Sequence, residues 1–207
     1  EIIFSDDHST DGTYELLLKI AQEYRGPHLV SVRQNRTNVG ISEHYNTLVQ
    51  IASGSLMVTA AGDDISMPYR ISKIKDAWNR SNKKFNLIAS YATSMNYEGH
   101  KSDHVFTLDQ LEDWKTPDAW CKKRPYVIGA THAFTKKLWS AFGDISSDVH
   151  HEDQVVSFRA ACLGSAFTIA EPLIWYREGG LSSSNVIGKS NLPNAKFIRR
   201  FNQQKAV

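Results

Sequence analysis

Apolar residues in this chain fall into short continuous runs, separated by stretches in which they return every three to four positions. Residues 1–5, 29–33, 55–61 and 86–90 are short runs rich in Ile, Leu, Val or Met, and they read as strands. Between the first two, Leu17, Ile20, Ala21 and Tyr24 keep helical spacing, which predicts a helix packing one face on a sheet. Ser9, Thr10 and Asp11 offer N-cap oxygens ahead of it, and Gly26-Pro27 ends it. A second helix is expected over 42–52, stopped by Gly54. Pro68 fits the first turn of a third, continued by Ile71, Ile74, Lys75 and Trp78. Residues 135–142 and 152–163 read as helices, and 166–170 and 173–176 as two short strands. From 100 to 123 the pattern is weak and predicts a long loop with a short helix near Asp118. Strands alternating with helices point to the α/β class, with a mostly parallel central sheet flanked by helices. The domain is expected to span residues 1–184, with 185–207 a partly helical tail.

A length of 207 residues suits one such domain, and 41% hydrophobic content is enough for a sizeable core. The net charge of +2 gives no whole-chain argument for nucleic acid. Cys121 and Cys162 stand far apart, without metal-ligand spacing, which favours a reducing compartment over a disulfide framework. No apolar run approaches the roughly 20 residues of a membrane span. The chain begins inside an expected strand and without an initiator Met, so a longer parent protein is expected.

The candidate chemistry sits where apolar runs end. Asp6-Asp7 follows the first, and Gly62-Asp63-Asp64 follows Ser55-Leu56-Met57-Val58-Thr59-Ala60-Ala61. Carboxylates at such ends can converge on the edge where open α/β sheets take ligands. Hard cations and the phosphates they bridge suit oxygen ligands of this kind, although an Asp-Asp turn can equally cap the following helix. Asp6 and Asp7 can accept hydrogen bonds from a base N–H or a ribose hydroxyl, or cap in turn. Asn38 and Gly40 close the next strand and alone form an ordinary turn. Glu152-Asp153 opens a helix after His150-His151; there a carboxylate is an N-cap or a general base held ionised and aimed into a cleft. The histidines are a surface pair, a metal ligand or a pH-sensitive lid. Gly129-Ala130-Thr131-His132 offers a small-residue wall for a ligand, and Trp114 or Trp120 a sugar-stacking platform.

Taken in order, these segments resemble family-2 glycosyltransferases of the GT-A fold. Asp6-Asp7-His8-Ser9-Thr10-Asp11-Gly12-Thr13 resembles the family's Asp-Asp-Gly-Ser-x-Asp-x-Thr segment, and Asn38-Val39-Gly40 with Asn46 its Asn-x-Gly…Asn stretch. Ala61-Gly62-Asp63-Asp64 with Pro68 and Arg70 resembles the metal-binding Asp-x-Asp-Asp segment. Glu152-Asp153 with Arg159 resembles the motif that ends in the base, and Glu171-Pro172-Leu173-Ile174-Trp175-Tyr176-Arg177 the strand and Tyr-Arg pair that close the domain. The resemblance implies sugar transfer, with inversion, from a nucleotide-diphosphate sugar to a saccharide or lipid-linked acceptor. Asp7 would contact the base, Asp63 would hold Mn²⁺ or Mg²⁺ against the diphosphate, and Asp153 would be the base. Asp6, Asn38, Gly40, Gly62 and Asp64 would border the donor, and Glu152, Thr131 and His132 the acceptor. It also implies work in cell-surface polysaccharide or glycoconjugate synthesis, in the cytoplasm or at the inner face of the membrane.

Three departures qualify it. Ala61 replaces the first Asp of the family's triplet, Glu178 stands where many members have His, and the family's first strand and helix are absent from the sequence. Strands flanking that gap would expose unpaired ladder groups, which a homo-oligomer is one way to cover. A non-catalytic nucleotide-sugar or carbohydrate-binding module of the same fold is the alternative function. A phosphoacceptor switch domain, a third reading, fits Arg70-Ile71 after Met67-Pro68 and Glu152-Asp153 poorly.

Overall fold

The computed structural model describes residues 1–178, so the expected tail over 185–207 lies outside the described residues. Strand β1 (Ile2–Asp6) pairs in parallel with β2 (Val30–Gln34), Ile2 opposite Val30 and Asp6 opposite Gln34. Helix α1 (Thr13–Glu23) makes the crossover. Gly12, in the left-handed region at φ 80°, is its N-cap, and the Asp11 carboxylate accepts from the Thr13 N–H and hydroxyl. α1 buries no residue completely: Leu16 and Ile20 stay 57% and 42% exposed, because a two-stranded sheet is too narrow to cover the expected apolar face.

The second sheet is formed by β3 (Leu56–Val58), β4 (Ile65–Ser66), β5 (Leu87–Met95), β6 (Lys101–Phe106), β7 (Ala133–Thr135) and β8 (Ala166–Arg177). Its order is β3-β7-β5-β8-β4, with β6 on β5. Within it only β5 and β8 run parallel, so the sheet is mixed. β5 alternates its side chains between two clusters. Leu87 and Ala89 join Phe134, Leu138, Trp139 and Val156, while Ile88 joins Ile74, Ala133 and Leu173. Period-two alternation puts these clusters on opposite faces. Helices α5 (Lys136–Phe142) and α6 (Glu152–Cys162) supply the first face, and α3 (Arg70–Arg80) the second. A short helix, α4 (Pro117–Lys122), packs against α6 through Trp120 and Phe158.

Helix α2 (Ile41–Ile51) fixes the segment leading into α6. Asn46 is buried; its amide donates to the Ile145 carbonyl (2.8 Å), and its oxygen accepts from Ile145 N (2.9 Å) and Trp139 Nε1 (3.3 Å). Ser42 Oγ donates to the Val149 carbonyl (2.7 Å), and Arg159 donates to the carbonyls of Gly143 and Asp144. Asn46→Ala orphans a buried indole N–H and two backbone groups at once. A loss of about 2–4 kcal/mol is expected from the urea midpoint; a loss below about 1 kcal/mol would show that the 143–151 segment is not held there.

Candidate active site

Asp6 and Asp7, adjacent in sequence, have different surroundings. Asp6 is buried and its carboxylate accepts from Ser9 N, Ser9 Oγ and Gln34 Nε2. Burial pushes its pKa up, but these hydrogen bonds outweigh it and the net shift is downward. Asp6 is thus engaged in shaping the turn after β1. Asp7 is half-buried and points to the start of α2: Oδ1 accepts from Val39 N and Oδ2 from Gly40 N, both at 2.9 Å. Asn38 Nδ2 donates to the Asp7 carbonyl at 2.9 Å. The carboxylate therefore completes the N-terminus of α2 across 33 residues of sequence, a role no local periodicity signals.

The expected strand over 55–61 is shorter than its apolar run, and Gly62-Asp63-Asp64 forms a turn between β3 and β4. Arg177, at the end of β8, secures it. Its N–H donates to Asp64 Oδ1 (2.8 Å) and its Nε to the Asp63 carbonyl (2.8 Å), while Nη1 reaches the carbonyls of Asn96 and Tyr97. Gly62 and Asp63 are exposed. Asp64 Oδ2 is buried with no hydrogen-bond partner, and burial, then the Arg177 and Asp63 contributions, leave the carboxyl raised to about 6.

The Glu152-Asp153 pair opens α6 with His151 as its N-cap, and both His150 and His151 are exposed. Asp153 Oδ1 accepts from Gln154 N at 2.8 Å. A Cβ built on Gly129 would lie 3.0 Å from Asp153 Cβ and 3.2 Å from Glu152 Oε1, so only glycine lets the 129–131 turn approach these carboxylates so closely. Burial raises Asp153, and burial followed by the Asp153 charge pushes Glu152 up to about 8. The folded chain then keeps a proton on Glu152 that the unfolded chain releases above its ordinary 4.5. That contribution to stability is complete below 4.5 and disappears as pH rises through about 8. Glu152→Gln should flatten the melting temperature against pH across this window; an unchanged slope would exclude Glu152 as its source.

Arg70 and Tyr45 link the two acidic groups electrostatically. Arg70 is 1% exposed, donates from Nη1 to Ser66 Oγ (3.0 Å) and from Nη2 to the Ala130 carbonyl (2.7 Å), and leaves Nε unpartnered. Burial lowers it to about 10, against the Asp64 charge and the Tyr45 hydroxyl. Tyr45 is raised by burial and then by Glu152, with Asp153 also contributing. One electrostatic neighbourhood thus joins residues 64, 70, 45 and 152–153. Arg70 stands in the motif that follows the acidic turn, but nothing in the sequence signals its burial, and nothing there singles out Tyr45.

Of the expected small-residue wall, Gly129 and Ala130 are partly exposed, whereas Thr131 and His132 are buried behind them. His132 is lowered to about 3 by burial and then by Arg70, so it is neutral. This corrects their reading as groups facing an acceptor. Trp120 is corrected too: it is 2% exposed and packs edge-on against Phe158, which leaves no open face for a sugar. Trp114 is half-buried, donates to the Lys123 carbonyl (2.7 Å) and lies under the Lys123 ammonium.

Among the described residues no three His, Cys, Asp or Glu side chains gather around one point. A cation at the 62–64 turn would draw most of its ligands from a bound phosphate and water. The exposed Asp63 and the unpartnered Asp64 oxygen suit a hard ion that takes only one or two protein ligands. No helix among the described residues is long and apolar enough to cross a membrane.

Residues 1–139 match the model of Glycosyl transferase family 2. EpsE of Bacillus subtilis (strain 168), named as a glycosyltransferase, is 36% identical over 75 residues, 35% of this chain and 26% of its own. S. aureus TarS 1–349 in complex with UDP is similar in structure at a TM-score of 0.62 and 17% identity, over 86% of this chain and 51% of that one. The mannosyltransferase PcManGT from Pyrobaculum calidifontis, in complex with GDP-Man and Mn²⁺, reaches 0.61 at 18% identity, over 83% of this chain and 45% of that one. At these identities the likeness to the solved structures is one of fold. The chain spans about half of those chains and about a quarter of EpsE.

Proposed function

Since the chain belongs to glycosyl transferase family 2, we propose that residues 1–184 form a domain that transfers a sugar from a nucleotide-diphosphate donor to an acceptor hydroxyl. The observation that carries this is the shared neighbourhood of Asp64 and the Glu152-Asp153 pair, joined through Arg70 and Tyr45 across almost 90 residues of sequence. UDP, UDP-GlcNAc and GDP-Man in the similar structures support a donor of this class.

In this reading Asp7 meets the base, with Asn38 and Gly40 around it, and Asp63 holds Mn²⁺ or Mg²⁺ beside Gly62 and Asp64. When bound, that ion neutralises charge developing on the departing diphosphate. Asp153 takes the proton of the acceptor hydroxyl as its oxygen forms a bond to the anomeric carbon. The bond from that carbon to the diphosphate breaks, and its electron pair leaves with the diphosphate. With no enzyme nucleophile in the path the configuration inverts. Asp153 Oδ1 accepts from Gln154 N, and burial raises the carboxyl, as suits a base. Gly129 and Ala130 border the acceptor side, and Trp114 remains the candidate for a sugar-stacking platform. The setting is cell-surface polysaccharide or glycoconjugate synthesis, on the cytoplasmic side.

A thermal-shift series with UDP, GDP and their sugars, with and without Mn²⁺, tests the reading. A ligand that prefers the native chain raises the midpoint by mass action. Mn²⁺-dependent shifts are expected for at least one nucleotide; none with any would end the donor assignment. Donor binding without turnover or hydrolysis would instead favour the non-catalytic module.

A further inference from the structure

Three strands of the second sheet finish on one edge. β3 and β5 each run antiparallel to β7, and β8 runs parallel to β5, so their C-terminal ends lie together. That edge carries the acidic turn after β3, Arg177 at the end of β8, and a turn over 96–100 that leads from β5 to β6. It is the kind of edge on which open α/β sheets take ligands. Tyr97 stands there 78% exposed, more than any other Phe, Tyr or Trp among the described residues; Tyr126 is next at 50%.

The turn that bears Tyr97 is tied down on both sides. Asn96 N donates to the His100 carbonyl (2.9 Å), Gly99 N to the Asn96 carbonyl (3.0 Å) and His100 N to Asn96 Oδ1 (2.8 Å). From β8, Arg177 Nη1 donates to the carbonyls of Asn96 (3.2 Å) and Tyr97 (2.5 Å), and Nε of the same guanidinium donates to the Asp63 carbonyl (2.8 Å). Glu178 N donates to the Met95 carbonyl (2.8 Å), and Ser94 Oγ donates to the Glu178 carboxylate. One guanidinium thus holds the main chain of Tyr97 beside that of Asp63, and these bonds leave the Tyr97 ring for another partner. A ring presented on a fixed turn can bind without the entropy cost of ordering its loop.

We infer that Tyr97 is a stacking platform for the sugar ring of the donor, its face lying against the apolar C–H face of a pyranose. This rests on the donor reading above, in which Asp63 holds the ion that bridges to the diphosphate. The sugar is bonded directly to that diphosphate, so its ring has to lie close to the Asp63 turn, where Tyr97 is anchored. The base belongs elsewhere, at Asp7 after β1, on the other sheet. Tyrosine suits the task, because its ring is apolar and its hydroxyl can stay in water.

Calorimetric titration of the chain with UDP, UDP-GlcNAc, UDP-glucose, GDP and GDP-Man, all with Mn²⁺, tests it. The quantity read is the affinity of each sugar nucleotide relative to its own nucleoside diphosphate. Tyr97→Ala should lower that ratio about 3–10-fold for the sugar nucleotide that the parent binds best, the scale of an aromatic contact. UDP and GDP themselves should stay within about 2-fold of the parent, and the melting temperature should not move, because the side chain is exposed. Tyr97→Phe keeps the ring and should keep the ratio. A ratio unchanged in Tyr97→Ala, an equal weakening of UDP and its sugars, or a loss in Tyr97→Phe as large as in Tyr97→Ala overturns the inference and leaves the donor reading standing. So does a parent chain that binds a nucleoside diphosphate but none of the sugar nucleotides. Failure of every one of these ligands to bind the parent overturns both.

Discussion

Asp153→Asn is expected to bind donor as the parent does and to transfer sugar about 10²–10⁴-fold more slowly, the range of a lost general base. The substitution is nearly isosteric. Asn can offer its side-chain oxygen to Gln154 N, the 2.8 Å contact that Asp153 makes at the start of α6, so the helix N-terminus should keep its geometry. What it cannot do is take the acceptor's proton. Donor affinity should hold, because Asp7 and Asp63 sit on other turns. Glu152 is the adjacent carboxyl, but with its pKa pushed up to about 8 it is mostly protonated at neutral pH. Single-turnover rates beside calorimetric donor affinity separate the two effects. Transfer within about 3-fold of the parent would remove Asp153 from the mechanism.

The acidic turns were legible because each ends an apolar run that is also a strand. Strands made by their partners were not. Lys101–Phe106 carries Ser, Asp and His with no alternation, and it is a strand because Val105 and Phe106 fall opposite Thr93 and Ala92 of β5. Ala133–Thr135 was hidden at the start of an expected helix, whose N-cap is Thr135, its hydroxyl oxygen accepting from Leu138 N. β4, β6 and β7 all pair antiparallel, and they make mixed a sheet that the alternation of elements had suggested was mostly parallel. Residues 166–177 read as two strands because Pro172 interrupts the pattern. The backbone continues as one strand, and the slip is absorbed by a register shift between Ser90 and Ala92.

The site shows the same division. Carboxylates were found by type and position, whereas their surroundings depend on contacts over 30 to more than 100 residues, as with Gly40 on Asp7 and Arg177 on Asp64. Burial was the quantity least readable from sequence. Arg70, His132 and Trp120 are types usually found at least partly exposed, and here each is nearly inaccessible. For Arg70 that burial ties the strand after the acidic turn, through Ser66, to the turn that abuts Asp153, through Ala130.

Asp63→Asn should abolish most Mn²⁺-dependent donor binding, by more than about 100-fold, since loss of a direct ligand exceeds the 10–100-fold typical of removing a group that only supports one. The melting temperature should hardly move. Asp63 is exposed, and what it gives the fold is its carbonyl, which accepts from Arg177 Nε at 2.8 Å and is kept by Asn. Asp64 predicts the contrasting result. Its Oδ1 accepts the Arg177 backbone N–H, so Asp64→Ala frees that N–H and loosens the turn as well as the ion, lowering stability and metal response together. The pair of variants therefore separates a ligand from a turn-former on adjacent residues. The Mn²⁺ dependence of UDP or GDP affinity, titrated in each variant and the parent, reads the first effect, and chemical denaturation reads the second. An Asp63→Asn chain that still needs Mn²⁺ and binds nucleotide as tightly as the parent would show that the ion, if one is used, sits elsewhere.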